Sequence, residues 1–139
     1  MAERDTTRHL INAMKGWDPV RIENILAPGT PDINFTGGWI EVKWIQDYPK
    51  KEGEIIICDH FTPAQRAFLK RRALMGGKTY LFVTIRKDHY LFDGLTGADF
   101  FGWITKEIMQ AKCLGYWQKV FPKKSELLMA MLKFKGVNP

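Results

Sequence analysis

Asp32, preceded by Pro31, stands nine residues ahead of Glu41 in the run Glu41-Val42-Lys43, and these charged side chains are the ones best placed to do chemistry. In an extended strand, residues two apart project to the same face. Glu41 and Lys43 therefore point one way, while Ile40, Val42 and Trp44 point the other way and pack. Asp32 joins them if its strand folds back alongside through Thr36-Gly37-Gly38, a hairpin signal. Two carboxylates offer hard oxygen ligands to Mg²⁺ or Mn²⁺, and the Val42 carbonyl offers a further oxygen. A cation there would stabilise charge on a phosphodiester and activate an attacking water. Lys43 would orient that water or stabilise the developing negative charge. The competing reading is structural: Asp32 as a turn residue after Pro31, and Glu41 with Lys43 as a salt-bridge pair on an edge strand.

The elements that must position these residues are legible from period and punctuation. Residues 3–15 predict a helix, with Leu10, Ile11 and Met14 on one stripe and Gly16 as its stop. Val20–Ile25 reads as a short strand, Ala27–Pro31 as a turn, and Asp32–Phe35 and Trp39–Ile45 as two paired strands. Gln46–Glu54 is a polar loop, and residues 55–58 add a short apolar segment. Thr62–Met75 is the clearest helix, with Thr62 as N-cap, Pro63 at the first position and Gln65 completing a capping box. Thr79–Ile85 is almost wholly apolar, as a strand covered on both faces should be. Arg86-Lys87-Asp88 turns it, and His89–Phe92 returns as its partner. Two more helices are predicted near 96–112 and 125–134. The expectation is an α/β sandwich, a central mixed sheet flanked by helices.

Length and charge set the outer bounds. A chain of 139 residues is expected to form a single domain, with a core over about 3–93 and a helical C-terminal extension over about 94–139. No apolar run is long enough to span a membrane, and the charged start does not read as a secretory signal. Cys58 and Cys113 match no zinc spacing and are too few for a disulfide framework, so an intracellular, cytoplasmic setting is expected. Residues 1–60 hold seven Lys/Arg against ten Asp/Glu, whereas residues 61–139 hold fourteen against five. Clustered carboxylates that bind a cation would explain the acidic half, and a polyphosphate partner would suit the basic one. Arg66, Lys70, Arg71 and Arg72 form a basic run on one helix, read either as a solvated face or as contacts to a DNA backbone. His60 and His89 have no partner at nucleophile or metal spacing, and the tryptophans read as core.

Gly29-Thr30-Pro31-Asp32 followed by Glu41-Val42-Lys43, with strand, helix and strand after it, resembles the PD-(D/E)xK nuclease superfamily. Within it the chain is similar to small phage-encoded enzymes of the Holliday-junction resolvase, VRR-NUC and phage endonuclease I groups. Arg21-Ile22-Glu23-Asn24 and Phe61-Thr62-Pro63-Ala64-Gln65 add to that likeness, which covers about residues 3–85. The resemblance implies a restriction-endonuclease-like fold and a Mg²⁺- or Mn²⁺-dependent endonuclease acting on DNA, with branched junction or flap DNA ahead of single- or double-stranded DNA. It implies Asp32, Glu41 and the Val42 carbonyl as metal ligands, Lys43 as a catalytic residue and Gln65 as a further one. Glu3 and Glu23 are its candidates for an extra acidic ligand. Junction enzymes of this kind are homodimers, so a homodimer is implied with that subtype. The rival function is a nucleic-acid-binding module that keeps the fold without the chemistry.

Overall fold

A computed structural model describes residues 2–23 and 27–134. The described elements are α1 (Glu3–Ala13), β1 (Val20–Arg21), β2 (Ile33–Phe35), β3 (Gly38–Ile45), α2 (Pro63–Leu74), β4 (Thr79–Ile85), β5 (Asp88–Asp93), α3 (Gly94–Phe100), α4 (Lys106–Lys112), β6 (Gly115–Trp117) and α5 (Lys124–Met131). The strands form one six-stranded sheet in the order β1-β2-β3-β4-β5-β6. Only β3 and β4 run parallel, with α2 as their crossover; the other neighbours are antiparallel.

The pleat of β4 divides the core. Tyr80 and Phe82 face a cluster with Leu10 of α1, Met14 just past its end, and Leu127, Ala130 and Met131 of α5. Leu81, Val83 and Ile85 face the opposite cluster, with Leu69 of α2, Ala98 of α3 and Met109 of α4. All seven residues of β4 are buried, as its unbroken apolar run requires. On β3, Ile40 and Val42 join the α1/α5 cluster. Glu41 and Lys43 consequently project to the α2 face. Gly38, at φ 137°, lets β3 start hard against the chain entering β4: a Cβ there would lie 2.0 Å from the Lys78 carbonyl oxygen.

Several predicted boundaries change. The first helix ends at Ala13, and β1 is confined to Val20–Arg21; Asn24, Ile25 and Leu26 lie outside the described residues. Asp32 precedes β2 rather than opening it, in a bend. The helix predicted near 96–112 is two helices: the chain leaves α3 through Gly102 at φ 107°, and Thr105 caps α4 by accepting the Ile108 N–H at 3.3 Å. The C-terminal region is not purely helical, because β6 adds an edge strand to the sheet. Residues 55–58 run beside the sheet without joining its ladder, the Ile56 N–H donating to the Ile104 carbonyl at 2.9 Å.

His89 is 3% exposed, lies 2.8 Å from the Thr84 hydroxyl and packs against Phe82 and Phe121. Burial holds its imidazole down at about 4, with Asp88 opposing the shift in part. The folded protein therefore disfavours the proton that the unfolded chain accepts near its ordinary value of about 6.5. Stability should be full above that value and fall by on the order of 3 kcal/mol as pH drops toward about 4. Thermal melts across this range should show an acid limb that His89→Gln removes.

Candidate active site

The sheet leaves the edge of β3 incomplete where the acidic residues gather. Pairing of β2 with β3 ends at Ile33 opposite Ile40, while β3 continues to Ile45. The N–H groups of Val42 and Trp44 thus face an edge that β2 has left. Carboxylates fill it: Val42 N–H donates to Asp32 Oδ2 at 2.8 Å, and Trp44 N–H donates to Glu3 Oε2 at 3.2 Å. Asp32 is carried there by the chain entering β2, whose own carbonyl accepts from Ile22 N–H. Glu3 is carried there by the first turn of α1, a position that the helix dipole favours for an acid. By the alternation of the strand, the Val42 carbonyl opens on the same edge.

Glu41 and Lys43 stand beside this edge and are 1% and 2% exposed. Lys43 Nζ donates to the His60 carbonyl at 2.9 Å, lies 3.5 Å from Glu41 Oε2 and 3.9 Å from Glu3 Oε1. Glu41 Oε1 is buried and has no hydrogen-bond partner among the described residues. Burial, and then the neighbouring Asp32 carboxylate, push Glu41 up to about 10, against the pull of Lys43. Glu41 and Glu3 meet one ammonium, with the Asp32 carboxylate beside Glu41, so among the described residues the carboxylates outnumber it when Glu41 is ionised.

That imbalance and the orphaned Glu41 oxygen fit a divalent cation. Among the described residues, no three His, Cys, Asp or Glu side chains converge to coordinate a metal by themselves. Mg²⁺ does not require such a cage, since it retains water and binds through one or two carboxylates. Asp32, Glu41 and the Val42 carbonyl are the groups that would hold it. Glu3 is spent otherwise, on Trp44, on Lys43 and on His60 Nε2 at 3.1 Å. The site is least covered on the side of Asp32, Glu3 and His60, whose ring is 46% exposed.

Other residues singled out by sequence lie elsewhere or do different work. Glu23 is exposed and pairs with Arg21 at 3.5 Å, one residue past Ile22, whose N–H donates to the Asp32 carbonyl at 2.8 Å. Gln65 completes its capping box, its side chain accepting from Thr62 N–H at 2.9 Å while its own N–H donates to the Thr62 hydroxyl. The basic run on α2 is not one face. Arg66 donates to the Ala98 carbonyl at 2.9 Å and stacks between Phe61 and Trp103, which ties α2 to α3. Lys70 pairs with Asp99 at 2.7 Å. Arg71 and Arg72 lie over Phe68, and Arg72 also over Trp39, toward the start of β3.

His60 is the residue that sequence reasoning missed. Its carbonyl fixes Lys43 and its ring meets Glu3, but contacts reaching 17 and 57 residues back leave no local signal. Cys58 lies 3.5 Å from the same ring, and burial pushes its thiol up to about 11, which keeps it protonated and unreactive near neutral pH.

No family model, curated protein or solved structure matches this chain.

Two measurements follow from this arrangement. Glu41→Gln keeps the shape and removes a buried acid, so the variant should melt at or above the wild type without divalent ions. Mg²⁺ at about 100 times its dissociation constant should stabilise the wild type by about 2.7 kcal/mol and leave Glu41→Gln unmoved; equal Mg²⁺ shifts would exclude Glu41 as a ligand. Arg66→Ala should cost about 2 kcal/mol in urea unfolding, from one charge-assisted hydrogen bond and two ring contacts.

Proposed function

We propose that the chain is a divalent-metal-dependent nuclease that hydrolyses DNA phosphodiester bonds at Asp32, Glu41 and Lys43. The observation that carries this reading is the buried Glu41 oxygen, which has no partner among the described residues and sits among carboxylates that outnumber the ammonium described beside them. The element order supports it: a helix, three antiparallel strands, then a helix crossing to a strand parallel to the third, in keeping with the restriction-endonuclease-like type.

When bound, Mg²⁺ or Mn²⁺ supplies charge stabilisation at the scissile phosphate and a more acidic water. Asp32 is oriented by the Val42 N–H, which holds its Oδ2 on the strand edge beside Glu41. Lys43 is held by the His60 carbonyl, so its ammonium sits at a fixed point without a search over rotamers. From there it stabilises negative charge developing on the phosphate and orients the attacking water. Entry is from the Asp32, Glu3 and His60 side. Branched junction or flap DNA, cut by a homodimer, is the subtype proposed first, and trimming of single- or double-stranded DNA is the second.

One observation favours a different reading, a nucleic-acid-binding module without chemistry: Glu41 and Lys43 are almost wholly covered. Incubation with plasmid, synthetic four-way junctions, flaps, single strands and duplexes, in Mg²⁺, Mn²⁺ or EDTA, separates the two. The nuclease reading expects cleavage with metal that EDTA stops. Asp32→Asn and Lys43→Ala should each lower the rate by at least about 100-fold with DNA binding kept. Absence of metal-dependent cleavage on every substrate would leave the binding module.

A further inference from the structure

The end of the sheet beyond the site forms a cleft of about 900 Å³, lined by Trp44, Tyr48, Arg86, Lys87, Lys106 and Lys119 among others. Trp44 joins it to the site, since the N–H that holds Glu3 belongs to a residue that lines the cleft. Four cations converge there against one lining carboxylate, Asp88. Asp88 is already committed: its oxygens accept from the Tyr48 hydroxyl at 2.6 Å and from the Lys119 N–H at 3.1 Å. Arg86 pairs with Asp47. Among the described residues, Lys87, Lys106 and Lys119 form no ion pair with an acidic side chain. Lys106 lies over the Tyr48 ring, 4.4 Å from its centre, which leaves its ammonium available to an anion.

The backbone adds an independent sign. Three described non-glycine residues have positive φ: Asp18, Arg86 at 57° and Lys119 at 58°. Two of the three place a cation in this cleft. Arg86 begins the two-residue turn between β4 and β5, where hairpins favour glycine, and Lys119 holds its conformation through Asp88. A left-handed backbone kept by a long cationic side chain costs stability that glycine would not, and such outliers cluster where function needs the side chain. Repulsion among like charges drawn together adds to that cost.

We propose that this cleft binds the phosphodiester backbone of a DNA strand running past the end of β3, with Lys87, Lys106 and Lys119 as the phosphate contacts. The choice of DNA rests on the nuclease reading, while the polyanion chemistry rests on the cleft. Backbone contacts carry no sequence information, so binding should be indifferent to base order. Of the α2 cations singled out by sequence, Arg66 and Lys70 are engaged within the fold, while Arg71 and Arg72 are exposed and serve as the comparison.

Fluorescence anisotropy in EDTA, with a labelled single strand and a duplex of about 20 nucleotides over about 50–200 mM salt, tests the assignment without turnover. Lys87→Ala combined with Lys119→Gly should weaken binding at least tenfold and lower the log–log salt slope by about 1.4 for the single strand or 1.8 for the duplex. Arg71→Ala with Arg72→Ala should leave the slope near that of the wild type. Lys119→Gly alone should melt no lower than the wild type, since glycine relieves the left-handed residue and keeps the N–H to Asp88. An unchanged slope in the cleft variant, an equal loss in the α2 variant, or no DNA binding by the wild type overturns the proposal. Binding through Lys87 and Lys119 with no cleavage in any metal would remove the nuclease reading and keep the cleft. Cleavage with wild-type binding in the cleft variant would do the reverse.

Discussion

The arrangement of the site depends on one hydrogen-bonding constraint: a central strand outlasts its neighbour. β3 runs five residues past its last partner in β2, and backbone donors facing that gap cannot stay unmet inside a protein. Asp32 and Glu3 meet them, which brings two acids 29 positions apart in sequence to a single edge. The carboxylates therefore have a structural role whatever chemistry they support. They complete a sheet, and in doing so they aim charge at a point where water is scarce.

Concentrating acids around a buried glutamate works against folding, because desolvation and like charge both oppose ionisation. Lys43 offsets part of this, and the His60 carbonyl keeps the lysine from relaxing outward. The flanking apolar layers hold the arrangement in place, with α1 and α5 on one face and α2, α3 and α4 on the other. A cluster of this kind is more stable with Glu41 protonated than with it ionised, so any species that offsets its negative charge controls which state is populated.

Much of this could be read from the chain, and the exceptions share a cause. The α2 helix was legible because Thr62, Pro63 and Gln65 are local signals, and β4 because seven consecutive buried residues leave little ambiguity. The alternation at Glu41 and Lys43 was legible from strand period alone. By contrast, β6 is three residues long and shows no period. The break between α3 and α4 was written in Gly102 and Thr105, but the apolar residues around them read through it. Arg66 looked like one member of a basic row, yet its partners Ala98 and Trp103 are more than thirty residues away. His60 and the cleft around Lys119 depend on tertiary contacts for the same reason.

The Glu3–Trp44 hydrogen bond has a kinetic side as well. It ties the outermost turn of a helix, the part of any helix that opens most readily, to an amide in the middle of the sheet. Fraying of that one turn releases the Trp44 amide, the His60 ring and a neighbour of Lys43 together. Amide exchange at Trp44 would then run at the rate of a helix end rather than of a sheet interior. The lifetime of the assembled cluster would be set by a few residues of α1, while the apolar layers beneath stay closed.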